Sequence, residues 1–296
     1  LFTDKKIKDF EDVNFFLRFR GPDNTEIVED ETNGFTFVHN LLSITGEFTS
    51  QPFIEDGIVF LFNGEIYNFK DFGDYDSDGY CIIDLYKEHG IDFVKKLDGE
   101  FAIFLLDLNE DLVIIATDPF KTKPLFYSIS EDGFGCSTYR TALDRIGHEN
   151  VKRVKPNTCS VYKLSNYEKV DEFTIVNFDL NQHKDNFDDW DIAFKNAIRK
   201  RTSNTDKKIF MGLSSGYDSG AIACELLKQE VTFKAYSVIN HQENTEDMNV
   251  LNYRHKRILE STNAELQNLY KSGEVREFHR NFIRNHSEDF KWTINT

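Results

Sequence analysis

Two short segments of the chain carry residues whose types and spacing can do chemistry. The first is Ser214-Ser-Gly-Tyr-Asp-Ser, set between the apolar run Lys208-Ile-Phe-Met-Gly-Leu and a helical pattern from Gly220 to Lys228. A strand that passes through such a turn into a helix presents backbone N–H groups at a helix N-terminus, here across Ser214, Ser215 and Gly216, and that arrangement suits a phosphate. The hydroxyls of Ser214, Ser215 and Ser219 can add hydrogen bonds. Asp218 repels a bare phosphate, so its use there would be to hold Mg²⁺ bound to pyrophosphate. The competing reading is a plain helix N-cap, where Ser and Asp are preferred without any ligand.

The second segment is Asn63-Gly-Glu-Ile-Tyr-Asn, behind the apolar run Ile58-Val-Phe-Leu-Phe. The side-chain amide of Asn63 and the backbone N–H of Gly64 can converge on one oxygen. The competing reading is a hairpin turn, the commonest use of Asn-Gly. Arg18, Arg20 and Asp23 also invite a chemical role, but Arg-Gly-Pro-Asp reads as a structural turn with its arginine paired to a carboxylate. His39 reads as a hydrogen-bonded strand residue rather than a general base.

The elements that must position these groups fall into two sets. Residues 35 to 180 are strand-rich, with short apolar runs at Phe35, Ile58, Phe101 and Leu112 and helices expected over Ile82 to Gly90 and Asp92 to Leu97. Strands in hairpins with a few helices fit an α+β antiparallel sandwich. Asn177 to Asp189 is polar and reads as a linker. Asp188 to Arg201 then carries an amphipathic stripe. The strand at Lys208, the turn, the helix and a strand over Val231 to Val238 form one βαβ unit, the opening of a parallel sheet. Asn249 to Tyr270 is expected to be helix, with no third strand before Thr296. The boundary is thus predicted at 180/181.

Bulk properties narrow the partners. A chain of 296 residues with net charge −16 disfavours nucleic acid and anionic membranes as partners. No apolar run approaches the length of a membrane helix. Cys81, Cys136, Cys159 and Cys224 lie far apart, with no CxxC pair, which points to neither a zinc site nor a disulfide framework and makes the cytoplasm the expected home.

Seven motifs, in order, resemble the class II glutamine amidotransferase domain of asparagine synthetases. They are Leu17-Arg-Phe-Arg-Gly-Pro-Asp, His39-Asn-Leu-Leu-Ser-Ile, Gln51-Pro, Asn63-Gly-Glu-Ile-Tyr-Asn, Ser77-Asp, Leu97-Asp-Gly-Glu-Phe-Ala, and Asp118 to Pro124-Leu-Phe-Tyr. The turn at Ser214 resembles the SGGxDS pyrophosphate loop of the ATP-pyrophosphatase family, which forms acyl-adenylates. The resemblance implies an N-terminal-nucleophile-type sandwich (1–180) followed by an α/β ATP-pyrophosphatase domain (181–296). It also implies an oxyanion hole at Asn63 and Gly64, with Asp78 on the α-ammonium of glutamine and Glu65 in the same pocket. ATP and Mg²⁺ would lie at Ser214, Ser215, Gly216, Asp218 and Ser219, with Val238 against the adenine and Asp218 on the metal. The implied partners are glutamine and aspartate or a related carboxylate, in a possible homodimer.

Three departures qualify the resemblance. The family nucleophile is an N-terminal cysteine, and this chain begins Leu1-Phe2, so a Met and a Cys are expected to precede Leu1 and further chain to follow Thr296. The alternatives are a glutaminase-dead amide or lactam ligase like the lactam-forming relatives, and a noncatalytic binding protein on the same fold. The family arginine that clamps the glutamine carboxylate is Leu41 here, so glutamine is expected to bind more weakly unless another cation, such as Arg18 or Lys121, fills in. Ser215 replaces the first glycine of the phosphate loop, which is costly if that position needs positive φ.

Overall fold

The computed structural model describes residues 1–130, 133–237, 245–262 and 267–268. The chain separates into two compact units, one holding Leu1–Asn181 and one beginning at Gln182.

The first unit holds β1 (Phe2–Thr3), α1 (Phe10–Asn14), β2 (Asn24–Asp30), β3 (Phe35–Leu41), β4 (Phe53–Glu55), β5 (Ile58–Ile66), α2 (Cys81–His89), β6 (Gly99–Asp107) and β7 (Leu112–Thr117). It continues with β8 (Phe126–Ser130), β9 (Gly133–Ser137), α3 (Arg140–Ile146), β10 (Lys152–Arg153), β11 (Thr158–Lys163) and β12 (Lys169–Thr174). Two antiparallel six-stranded sheets result, in the orders β10-β8-β9-β1-β3-β2 and β12-β11-β7-β6-β5-β4.

The sheets pack face to face through Phe2, Phe37, Leu61, Phe104, Ile115 and Phe134. The outer face of the second sheet buries Phe60, Phe62 and Ile103 against α2, through Ile82 and Leu85. Val13 and Leu17 pack with Tyr139 and Ala142 in a separate cluster around α1 and α3. Strands β6 and β7 read as continuous apolar runs because both of their faces are covered. Edge strand β2 alternates between half-buried and exposed instead. Phenylalanines fill both cores of this unit, and between the sheets Phe2 stacks on Phe104 at 4.4 Å.

The second unit runs α4 (Asp188–Ser203), β13 (Ile209–Gly212), α5 (Tyr217–Lys228), β14 (Phe233–Ser237), α6 (Thr245–Thr262) and β15 (Gln267–Asn268). Strands β13, β14 and β15 pair in parallel, around a core that includes Ile198, Met211, Leu226, Phe233 and Leu251. This corrects the expected helix through Tyr270 and the expected absence of a third strand. Gln267–Asn268 carries no apolar period and becomes strand only through its pairing with Tyr236–Ser237. No described helix is long and apolar enough to cross a membrane.

Candidate active site

Strand β5 decides where the first group of predicted residues points. Val59 and Leu61 enter the core between the sheets, whereas Phe60, Phe62 and Ile66 face α2. With a side-chain period of two, Asn63 and Glu65 follow Val59 and Leu61 toward the first sheet. Asn63 and Gly64 therefore sit inside a strand, opposite Ala102 and Phe101, and the hairpin-turn reading is ruled out.

Gly64 answers to two constraints. A Cβ there would stand 1.9 Å from the Glu100 carbonyl oxygen and 2.8 Å from Phe101 Cα, so the neighbouring strand admits only glycine. Phe101 directs its own amide to Asp118 Oδ2 at 3.1 Å and accepts the Asp118 amide at 2.9 Å, both away from β5. The Gly64–Phe101 pair is thus non-hydrogen-bonded, and the Gly64 N–H turns to the open edge of β5. On that same edge the Phe62 amide donates to Gln51 Oε1 and the Ile66 amide to Asp78 Oδ2, each at 2.8 Å.

These groups border one cavity of about 200 Å³, together with Leu1, Arg20, His39, Leu41, Thr45 and Lys123. The structure brings Asn63, Gly64, Glu65 and Asp78 together there. Asn63 Nδ2 is buried and has no hydrogen-bond partner among the described residues. A buried donor in that state costs about 1–3 kcal/mol, which an oxygen arriving in the cavity would relieve.

The carboxylates supply the opposite polarity. Asp78 is 4% exposed. Burial, and then the neighbouring charge of Glu65, push its carboxyl up to about 7, against the amides of Ile66 and Gly79 and the Ser77 hydroxyl. Glu65 is raised by burial, and the Thr45 hydroxyl and the charge of Lys123 work against that shift. Two acids in one buried wall favour a cationic ligand.

Leu1 anchors the chain start at this cavity. Its amino nitrogen donates to the Val38 carbonyl and its carbonyl accepts the Val38 amide, each at 2.8 Å. The next residue, Phe2, is fully buried. The buried thiols of Cys81, Cys136 and Cys159 are pushed up to about 12 by burial, which suppresses the reactive thiolate, and none of them borders the cavity. His39, on β3, borders the cavity, contacts the Phe62 backbone and is held down to about 4 by burial, so it is neutral near pH 7, and its buried Nδ1 has no hydrogen-bond partner among the described residues.

Other expectations for this wall need correction. Arg18 stacks on Phe15 and Phe19, reaches Glu11 at 3.9 Å and does not border the cavity. Lys121 is buried away from the cavity, beside Arg153. Neither replaces the missing cation at Leu41. Asp23 is structural, as expected, accepting the Ser43 amide at 2.9 Å. Arg20 is not paired to any carboxylate among the described residues, because its turn, Leu17–Arg20, lays it along the cavity and over the Tyr139 ring. Sequence reasoning gave Arg20 only a structural role and gave none to Thr45 or Lys123. The first and last lie inside motifs quoted above, and that was the available signal.

In the second unit the turn before α5 closes partly on itself. The Ser214 amide donates to Ser219 Oγ and the Gly216 amide to Ser214 Oγ, each at 3.1 Å. Arg254 Nη1 donates to the carbonyls of Ser214 at 2.6 Å and Gly216 at 2.7 Å. The first bond of α5 runs from the Gly220 amide to the Gly216 carbonyl at 3.3 Å, so the amides of Tyr217, Asp218 and Ser219 precede it. Ser215 does not adopt positive φ, and the expected strain is absent. Among the described residues no cluster of three or more acidic, His or Cys side chains could hold a metal. Val238 lies outside the described residues.

A family model described as a glutamine amidotransferase domain matches residues 2–178. Mouse glutamine-hydrolyzing asparagine synthetase is 33% identical over 254 residues, covering 72% of this chain and 45% of that protein. A Methanocaldococcus jannaschii protein named as a candidate member of the same enzyme type is 30% identical, covering 79% of this chain and 49% of its own. The chain thus spans about half the length of the curated relatives it matches. Among solved structures, a glutamine phosphoribosylpyrophosphate amidotransferase from B. subtilis aligns with TM-score 0.44 at 16% identity, over 90% of this chain and 66% of that one.

Proposed function

Because the chain belongs to the glutamine amidotransferase domain family, we propose that its first unit hydrolyses L-glutamine to glutamate and ammonia in the cavity beside Asn63. The observation that carries this reading is the pairing of an unpartnered buried amide donor with a buried acid, Asp78, and a half-buried one, Glu65, around one cavity. Asp78 and Glu65 take the α-ammonium. Asn63 Nδ2 and the Gly64 N–H take the negative oxygen that forms when a nucleophile adds to the side-chain amide carbon.

The nucleophile in this reading is a cysteine ahead of Leu1, on the strand whose backbone pairing of Leu1 with Val38 runs along the cavity. Its sulfur bonds the amide carbon, and the C–N bond breaks as the nitrogen gains a proton and leaves as ammonia. Water then cleaves the thioester.

The reading extends to the second unit as an ATP-consuming amide ligase. ATP with Mg²⁺ would sit at Ser214, Ser215, Gly216, Asp218 and Ser219, using the first amides of α5, with Val238 near the adenine. Asp218 would hold the metal jointly with phosphate oxygens. The carboxylate of aspartate or a related acid would take the adenylyl group of ATP with release of pyrophosphate, and the ammonia would then attack the acyl carbon, forming the amide and releasing AMP. The strand–turn–helix and the names of the relatives support this extension. Leu41 favours a second reading, an amide or lactam ligase without glutaminase activity.

One experiment separates the two readings. The protein with its native N-terminus is incubated with L-glutamine, and glutamate release and the N-terminal residue are measured together. Glutamate release by an N-terminal cysteine supports hydrolysis. A native N-terminus without cysteine, or pyrophosphate production from ATP with no glutamate release, overturns it.

A further inference from the structure

The cavity has an acidic wall formed by Glu47, Glu65 and Asp78. An α-amino acid that brings its ammonium to that wall also brings a carboxylate, which needs a cation. Two cationic side chains border the cavity, Arg20 and Lys123. Lys123 pairs with Glu100 at 3.5 Å, and its charge acts on Glu65, so it belongs to the acidic wall.

Arg20 stands apart. Its Nε is buried with no hydrogen-bond partner, and no carboxylate among the described residues forms an ion pair with it. Its guanidinium lies 5.5 Å from the centre of the Tyr139 ring. That contact orients the plane and satisfies no N–H. The backbone sets its position. A Cβ on Gly21 would stand 2.0 Å from the Asn40 carbonyl oxygen and 2.7 Å from the Leu41 carbonyl carbon, so the chain just after Arg20 lies flush against the backbone of Asn40 and Leu41, and both Arg20 and Leu41 border the cavity. Leu41 gives that part of the wall an apolar surface with no charge.

We propose that Arg20 receives the α-carboxylate of the amino-acid ligand, through Nε and one Nη. The guanidinium fork matches a carboxylate in two parallel bonds, and the carboxylate would satisfy the orphaned Nε. The inference rests on the glutamine reading above and adds the residue for the opposite end of the ligand. It makes the cavity selective for α-amino acids over amines of the same length that lack the carboxylate.

Titration calorimetry on the full chain tests this, with L-glutamine and with 4-aminobutanamide, which is glutamine without its α-carboxylate. Arg20→Met is expected to weaken glutamine by ~10- to 100-fold and to leave 4-aminobutanamide unchanged. Arg20→Lys, which keeps the charge and loses the fork, is expected to weaken glutamine by about tenfold only. Leu41→Arg in the Arg20→Met background is expected to restore glutamine binding. Unchanged glutamine affinity in Arg20→Met overturns the proposal, and so does equal weakening of both ligands. A folded wild-type chain that binds neither ligand overturns the glutamine reading itself, a result distinct from both.

Discussion

Asp78 accepts the Ile66 amide through Oδ2 at 2.8 Å, two residues along β5 from Gly64. One carboxylate thereby secures the open edge of the strand that carries the oxyanion donors and also lines the cavity they face. Any change at Asp78 should be felt in both binding and strand order.

The raised pKa of Asp78 gives a pH signature. A carboxyl at about 7 in the folded chain, against 3.8 otherwise, stabilises the fold fully below pH 3.8 and loses that contribution as pH rises through 7. Asp78→Asn should therefore gain thermal stability relative to wild type as pH goes from 4 to 7, with no further gain above. A difference in melting temperature that is flat across this range would refute the assignment.

Ligand binding should run the other way. The α-ammonium needs Asp78 ionised, so glutamine affinity is expected to rise as pH increases from 5 to 7, by at most about tenfold per unit, and then level off. Asp78→Asn should bind weakly at every pH. Calorimetry at four pH values checks this, and a wild-type affinity independent of pH would contradict it.

Asn63→Ala removes one oxyanion donor and relieves a buried orphan. Glutamine hydrolysis by the protein with its native N-terminus should fall ~100- to 1000-fold in kcat, while KM changes little. An equal loss in ground-state binding would place Asn63 on the substrate rather than on the transition state.

Gly64→Ala drives a methyl group into the Glu100 carbonyl. Urea denaturation should show a loss of about 2–4 kcal/mol, because two paired backbones must separate. Full retention of stability would mean that β5 and β6 can part at no cost.

In the second unit, Arg254→Met frees the carbonyls of Ser214 and Gly216. If the turn takes ATP, binding of ATP with Mg²⁺ should weaken by about tenfold, because two of the bonds that order the loop are lost. Unchanged affinity would show that the loop needs no tether.

Much of this protein was legible in the order of its residues. The apolar runs at Ile58, Phe101 and Leu112 became the central strands β5, β6 and β7, because burial on both faces leaves an unbroken hydrophobic signature. The span from Asp188 to Lys228 likewise became helix, strand and helix, since local periodicity suffices there. Asn63, Gly64, Glu65 and Asp78 could be named from motif order alone, before any distance was known.

The resemblance placed them in one pocket, but the geometry of that convergence was not legible. Asp78 is 12 residues from Ile66 in the chain, and Leu1 is 37 from Val38. Only the pairing of β1 with β3, and the non-hydrogen-bonded register at Gly64 and Phe101, put them around one cavity. The state of Arg20 was also beyond reach. A sequence shows that an arginine follows Leu17-Arg-Phe, but whether its Nε meets a carboxylate or none depends on how Gly21 docks against Asn40 and Leu41. Local preference is a property of neighbours in the chain, whereas charge partnership is a property of neighbours in space, and folding alone decides the second.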